Sequence, residues 1–174
     1  MIARETASVA VIIKGRPKHG DQVLLIKRAE RTGDPWSGQV AFPGGRVEAG
    51  DSTFADTAIR ETVEEVGVDL RIKAEFLGYM GPFEPRNKRI QVVPAIFGLE
   101  GIVRVRTSSE VFSHRWIPIA ELISMKNRSE QAMMVGSDHV TMPTFKFGDY
   151  LVWGLTERIL AKLVEIEEGT RLHP

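Results

Sequence analysis

Three carboxylates and a guanidinium crowd into one short run near the middle of the chain, Arg60-Glu61-Thr62-Val63-Glu64-Glu65-Val66-Gly67-Val68. At about 100° per residue, Ala55, Ala58, Ile59, Thr62 and Val66 share a helical sector of roughly 60°. Glu61, Glu64 and Glu65 fall within roughly 100° on nearly the opposite side. Residues 54–66 therefore read as a helix with a small, apolar buried face and a face of three clustered acids. Like charges three or four residues apart destabilise a helix by a few tenths of a kcal/mol per pair. Glu64 and Glu65 also stand near the negative end of the helix dipole. Arg60, four residues before Glu64, relieves part of this repulsion. A hard divalent cation would relieve much more, and a donor set made only of oxygen suits Mg²⁺ or Mn²⁺ shared with substrate phosphates. An ordinary solvated helix face is the other reading of the same three acids.

The elements on either side of this run have to position it. Pro43-Gly44-Gly45 stops a short strand at residues 39–42 and gives a backbone that can approach a ligand closely. A loop with Glu48 and Asp51 follows, and either acid can serve the site or simply face solvent. Asp51, Ser52 and Thr53 are good N-cap residues, and Gly67 is a C-terminal stop. Residues 8–14 and 22–28 read as a hairpin closed by a long turn at residues 15–20. Residues 68–79, 90–99 and 111–117 read as strands, with Pro94 implying an edge or a bulge. Residues 119–125 read as a short helix and 140–147 as an extended piece. Leu151, Leu155, Ile159, Leu163 and Ile166 recur at helical spacing in a C-terminal amphipathic helix over residues 150–166. Strands and helices mix without strict alternation, which favours an α+β or layered α/β/α arrangement over a doubly wound fold.

The run from Gly44 to Val68 resembles the Nudix box. That pattern is Gly, five residues, Glu, seven residues, then Arg-Glu-apolar-any-Glu-Glu-any-Gly-apolar. Gly45 matches its first Gly, and Arg60, Glu61, Glu64, Glu65, Gly67 and Val68 match its second half. The spacer is one residue longer, Asp51 replaces the mid-box Glu, and Thr62 stands at a usually apolar position. Gly38-Gln39-Val40-Ala41-Phe42-Pro43-Gly44-Gly45 is similar to the coenzyme A pyrophosphatase branch of that family. So are Leu24-Leu25-Ile26-Lys27-Arg28 and Val152-Trp153-Gly154-Leu155-Thr156. The loop Gly33-Asp34-Pro35-Trp36-Ser37 departs from the Leu-Arg-any-His segment of that branch. The resemblance touches the chain from about residue 23 to 165, and the length of 174 residues fits one domain, read as residues 1–174 with the box at about 45–68. The resemblance implies an α/β/α sandwich with a mixed β-sheet and a catalytic loop-helix-loop. It implies hydrolysis of a nucleoside diphosphate linked to another group, with Mg²⁺ or Mn²⁺ held by Glu61, Glu64, Glu65 and the Gly45 carbonyl. Arg60 would hold the acids in place. The general base stays open among Glu61, Glu84 and Glu100.

Coenzyme A or a derivative leads the substrate readings. ADP-ribose, a dinucleotide or a nucleoside triphosphate are alternatives, and a non-catalytic nucleotide-binding module is a third class. Such modules commonly lose acids of the Glu61 or Glu65 type, and this chain keeps both. Around the expected site, Arg28 ends a strand and is placed to meet a phosphate. Trp36 is a loop aromatic that can stack on a base or anchor its loop. Phe83 and Arg86 lie in a loop, residues 81–87, able to close over substrate. Trp116 and Trp153 read as core. His19, His114, His139 and His173 lack metal-ligand spacing.

Composition narrows the rest. The 174 residues carry 23 Lys and Arg against 23 Asp and Glu, so no nucleic-acid partner is expected. Cysteine is absent, which removes disulfides, thiolate nucleophiles and Cys-based zinc sites. No run reaches the roughly 18 apolar residues of a membrane span, and the start lacks a secretory pattern. A cytoplasmic protein is expected, and a homodimer by analogy with the family.

Overall fold

A computed structural model describes residues 5–15, 21–34, 36–86 and 90–171. Strand β1 (Glu5–Lys14) is the one on which the rest assembles. It runs parallel to β6 (Ile90–Leu99) in unbroken register, from Glu5 opposite Ile90 to Lys14 opposite Leu99. Its other edge pairs antiparallel with two strands. Near its end, Ile13 and Lys14 meet β2 (Gln22–Arg28), and nearer its start Ala7–Val9 meet β4 (Gly44–Arg46). β2 also pairs with β3 (Val40–Ala41) and β7 (Val111–Pro118), and β6 pairs with the edge strand β5 (Ala74–Tyr79). The result is a mixed sheet.

Side chains alternate between its two faces. Ala10, Ile12, Leu24 and Ile26 pack against α1 (Phe54–Val66) through Ala58, Ile59 and Val66. Val11, Val23 and Leu25 face the other way. There they meet Ile159, Leu160 and Leu163 of α4 (Gly154–Arg171), with Phe145, Phe147 and Val152 of a second sheet. That sheet is antiparallel, in the order β10 (Tyr150–Trp153), β9 (Asp138–Phe147), β8 (Arg128–Val135). Helices thus cover both faces of the mixed sheet, as an α/β/α sandwich requires. Burial on both faces explains why β1 and β2 read as nearly continuous apolar runs.

Several expected boundaries move. The strand expected at residues 68–79 begins only at Ala74. Asp69 caps the short helix α2 (Leu70–Lys73), its carboxylate accepting from Arg71 N at 3.0 Å. Gly44 and Gly45 do not end a strand but form one, because the edge of β1 supplies the partner that glycine propensity argues against. β6 is central rather than at an edge. Pro94 is accommodated where β5 ends, its carbonyl accepting from Met80 N, and the bulge falls in β5 between Phe76 and Gly78. The short helix α3 spans Ile119–Ile123. The C-terminal helix starts at Gly154, later than expected, since Tyr150–Trp153 pair with β9. Trp116 and Trp153 are half-buried rather than enclosed. The turn expected at residues 15–20 falls almost wholly outside the described residues, as do His19 and His173.

Candidate active site

Local chemistry sets helix α1. Thr53 caps it with a reciprocal box: Thr53 Oγ1 accepts from Asp56 N at 3.1 Å, and Asp56 accepts from Thr53 N at 2.9 Å. Gly67 ends it at φ 68°, a left-handed conformation that glycine adopts without a Cβ penalty. Between these ends the three acids take different environments, and the wheel reading is corrected. Glu64 is exposed, Glu61 is half-buried and Glu65 is only 3% exposed. Strand β4 folds over the acidic side and encloses it. Gly44 N donates to Glu65 Oε2 at 2.9 Å, and a Cβ on Gly45 would land on the Glu61 carboxylate. The glycine pair is therefore needed for close approach: any side chain at residue 45 would displace that acid.

Arg60 gathers the loop. Its Nε and Nη2 donate to the two oxygens of Asp51 at 3.2 and 3.0 Å. Nη1 donates to Glu61 at 2.9 Å and reaches Glu64 at 3.5 Å, and Nη2 also donates to the Arg46 carbonyl at 2.9 Å. Glu48, well exposed, stands 3.6 Å from Nη1. Asp51 is the enclosed member of the loop. It also accepts from Thr57 Oγ1 and Glu48 N, both at 2.9 Å. Arg60 and these donors hold the Asp51 carboxyl far below the ordinary range, while Asp51 in turn keeps Arg60 protonated. The helix acids go the other way. Burial pushes Glu65 up to about 7, against the Gly44 amide that favours its charged form, and the Glu61 charge adds to the rise. Burial also raises Glu61, with Arg60 opposing.

The other expected residues divide. Arg28 reaches the acids, with Nη1 3.8 Å from Glu65 Oε1 and Nη2 3.1 Å from Asp34. Trp36 is exposed on the adjoining loop, its backbone N donating to Asp34 Oδ1 at 2.9 Å. Phe83 packs on the α4 side of the sheet, backbone-paired to Val92, with the Arg158 guanidinium 5.7 Å from its ring. Arg86 is exposed at the end of a described segment. Glu84 sits beside Phe83, its carbonyl accepting from Arg158 Nη1 at 2.7 Å. Glu100 follows Leu99, opposite Lys14, five residues along β1 from the Val9 that pairs with Gly44. At about 3.3 Å per residue that is roughly 16 Å away. His114 and His139 are exposed.

Sequence reasoning passed over Glu110. The segment before β7 lies along the end of α1, with Ser108 N donating to the Glu65 carbonyl at 2.9 Å. This brings the Glu110 charge to bear on Glu65, while Glu110 itself pairs with Arg31 at 3.1 Å. No spacing rule links residues 65 and 110, so only the fold reveals the pair.

The donor set suits a hard cation: the carboxylates of Glu61, Glu64 and Glu65, with a glycine whose missing side chain leaves room for Glu61, whereas the expected Gly45 carbonyl lies in the β1–β4 ladder opposite Ser8. Among the described residues no three Asp, Glu or His side chains are already gathered as a cage. Arg60 holds Glu61 and Glu64, and the Gly44 amide holds Glu65. Also among the described residues, no helix is long and apolar enough to cross a membrane.

Residues 4–135 match the NUDIX domain family. With the acid-bearing helix, the glycine strand over it and the mixed sheet between helices, the chain belongs to that family, the Nudix hydrolases. The mitochondrial coenzyme A diphosphatase NUDT8 of Homo sapiens is 32% identical over 157 residues, covering 86% of this chain and 65% of that protein. An uncharacterized Nudix hydrolase, NudL of Klebsiella pneumoniae, is 30% identical over 167 residues, covering 95% of this chain and 83% of the relative. Against three of the curated relatives it matches, the chain spans 33%, 50% and 65% of their length. Among solved structures, a C. elegans Ap4A hydrolase binary complex shares the fold. Its TM-score is 0.57 at 20% identity, over 68% of this chain and 83% of that one.

Proposed function

We propose that this chain is a divalent-cation-dependent pyrophosphohydrolase that cleaves the diphosphate of coenzyme A or a derivative, with residues 1–174 acting as one Nudix domain. The observation that carries the reading is the pairing of Glu61 and Glu65 with the glycine strand that ends Gly38-Gln39-Val40-Ala41-Phe42-Pro43-Gly44-Gly45. The likeness to a protein named as a coenzyme A diphosphatase supports the substrate.

Glu61, Glu64 and Glu65 would hold Mg²⁺ or Mn²⁺. Such a cation, when bound, neutralises diphosphate charge and makes water a better nucleophile. The chain's own residues do the rest. Arg60 and Asp51 fix the loop against α1, so that the Glu61 carboxylate stays over Gly45. Arg28, beside Glu65, presents a guanidinium to the phosphates. Water's oxygen bonds to one phosphorus, the bond from that phosphorus to the bridging oxygen breaks, and the other phosphate leaves. Glu61, held over Gly45 by Arg60, accepts the water's proton.

The test is product analysis after incubation with Mg²⁺ and coenzyme A, with ADP-ribose in parallel. Phosphopantetheine and adenosine 3′,5′-bisphosphate are expected. Cleavage of ADP-ribose alone would keep the hydrolysis and overturn the substrate. Cleavage of neither would overturn both.

A further inference from the structure

A cleft of about 300 Å³ lies between the loop after Trp36 and strand β10, lined by Lys27, Ser37, Gln39, Asp149, Leu151 and Trp153 among others. Two separate sequence runs meet there: Gly38-Gln39-Val40 from the glycine-rich segment, and Trp153 from the start of the last helix. The cleft is tied to the acids through Arg28. Arg28 N donates to the Gln39 carbonyl at 2.9 Å, and its Nη1 stands 3.8 Å from Glu65. From Val40 on the wall to Gly44 at the acids is four residues, a span of about 13 Å at most. That is within the reach of one nucleotide.

The walls are fixed. Tyr150 and Ser113 hydroxyls share a hydrogen bond at 2.7 Å, and Arg115 donates to the Phe147 carbonyl at 2.7 Å, which pins β10 and its turn to β7. Arg115 also pairs with Asp149 at 3.0 Å, matching the one acid of the cleft. Lys27 is then the cation of the lining, its Nζ 5.8 Å from the Phe112 ring. An indole, an ammonium, an amide and a hydroxyl around this volume suit a flat ring carrying an anionic group.

We propose that this cleft takes the purine nucleoside end of the substrate and reads a monoester phosphate on it, with Trp153 against the ring and Lys27 on the phosphate. The inference rests on the reaction proposed above and adds where the substrate's far end lies and what it must carry. Coenzyme A has that 3′-phosphate; dephospho-coenzyme A differs only in lacking it. Lys27→Met is expected to lower kcat/KM for coenzyme A by about tenfold, through KM. Dephospho-coenzyme A should change less than about twofold, and Lys27→Arg should restore the preference. Trp153→Leu should raise KM for both substrates alike.

Calorimetric binding of adenosine 3′,5′-bisphosphate separates this inference from the reaction. Binding by the wild type that Lys27→Met abolishes supports the cleft even if no diphosphate is cleaved. Cleavage of coenzyme A with equal losses on both substrates in Lys27→Met, or with no loss, overturns the cleft and leaves the reaction standing.

Discussion

Two buried glutamates, Glu65 on α1 and Glu157 on α4, are 3% and 2% exposed, and burial raises the pKa of both. Each has an arginine within reach: Arg28 at 3.8 Å from Glu65, Arg128 at 3.3 Å from Glu157. Their wider surroundings have opposite sign. Around Glu65 stand two more acids, Glu61 and Glu110, whose charges push its proton affinity up further. Around Glu157 stand two arginines, Arg128 and Arg158, which oppose the rise. Burial therefore does not mark a working carboxylate. The difference is a surplus of acids around Glu65 that Arg28, Arg31 and Arg60 offset only in part, and such a surplus suits a cation. Glu157 is satisfied within the fold and fastens α4 to β8.

The sharpest way to break this contrast is to neutralise both acids without changing their shape. Glu65→Gln is expected to lower kcat on the cleaved substrate by about 10²–10³-fold. Its thermal unfolding midpoint near pH 7 should not fall, since a costly buried charge is removed. A wild-type rate in that variant would end the assignment.

The glycine pair separates packing from chemistry at adjacent positions. A Cβ on Gly44 would stand 2.6 Å from Val9 Cα, and backbone cannot give way as a flexible side chain can. Gly44→Ala should cost about 1–3 kcal/mol of stability in denaturant unfolding. At Gly45 the obstacle is the Glu61 carboxylate, the far end of a flexible side chain. Gly45→Ala should lose activity at a smaller cost in stability, and equal stability losses would contradict the difference.

Glu157→Gln, the control at matched burial, should leave kcat within about twofold while costing about 1–3 kcal/mol of stability, because Arg128 loses its charged partner. A rate loss as deep as that of Glu65→Gln would show that burial, not charge surplus, is what matters.

The smallest effect is a slope. Glu65 binds its proton more tightly folded than unfolded, so the folded state holds more protons between the ordinary 4.5 and about 7. Stability of the cation-free protein should fall as pH rises through that window. Glu65→Gln should flatten the fall more than Glu157→Gln does, in urea titrations across the range.

What the sequence disclosed was what short-range chemistry decides. Helix α1 runs over residues 54–66 as read, because Thr53 and Gly67 cap it with contacts to residues three or four away. The mixed sheet between helices was legible from apolar runs and the box resemblance. Less legible were features that distant chain creates. Strand β4 is glycine, and only the β1 edge makes it a strand. β8 alternates exposed and half-buried residues and takes its order from β9. The wheel grouped Glu65 with Glu64 because it could not see β4 and Arg28 closing over one of them. Asp51, left open between site and solvent, is enclosed by Arg60 and Thr57, and Glu110 carried no spacing to reveal it.

The parallel register of β1 with β6 has a kinetic consequence. Every one of its ten pairs joins residues 85 apart, from Glu5 with Ile90 to Lys14 with Leu99. Antiparallel pairing of β1 with β4 spans far less chain, from 35 residues at Val9 and Gly44 to 39 at Ala7 and Arg46. On a ribosome adding about 5–20 residues per second, β1 waits several seconds for β6. The glycine strand and its helix have emerged by then. Refolding of the intact chain should be slow for its size, with long-range loop closure setting the pace.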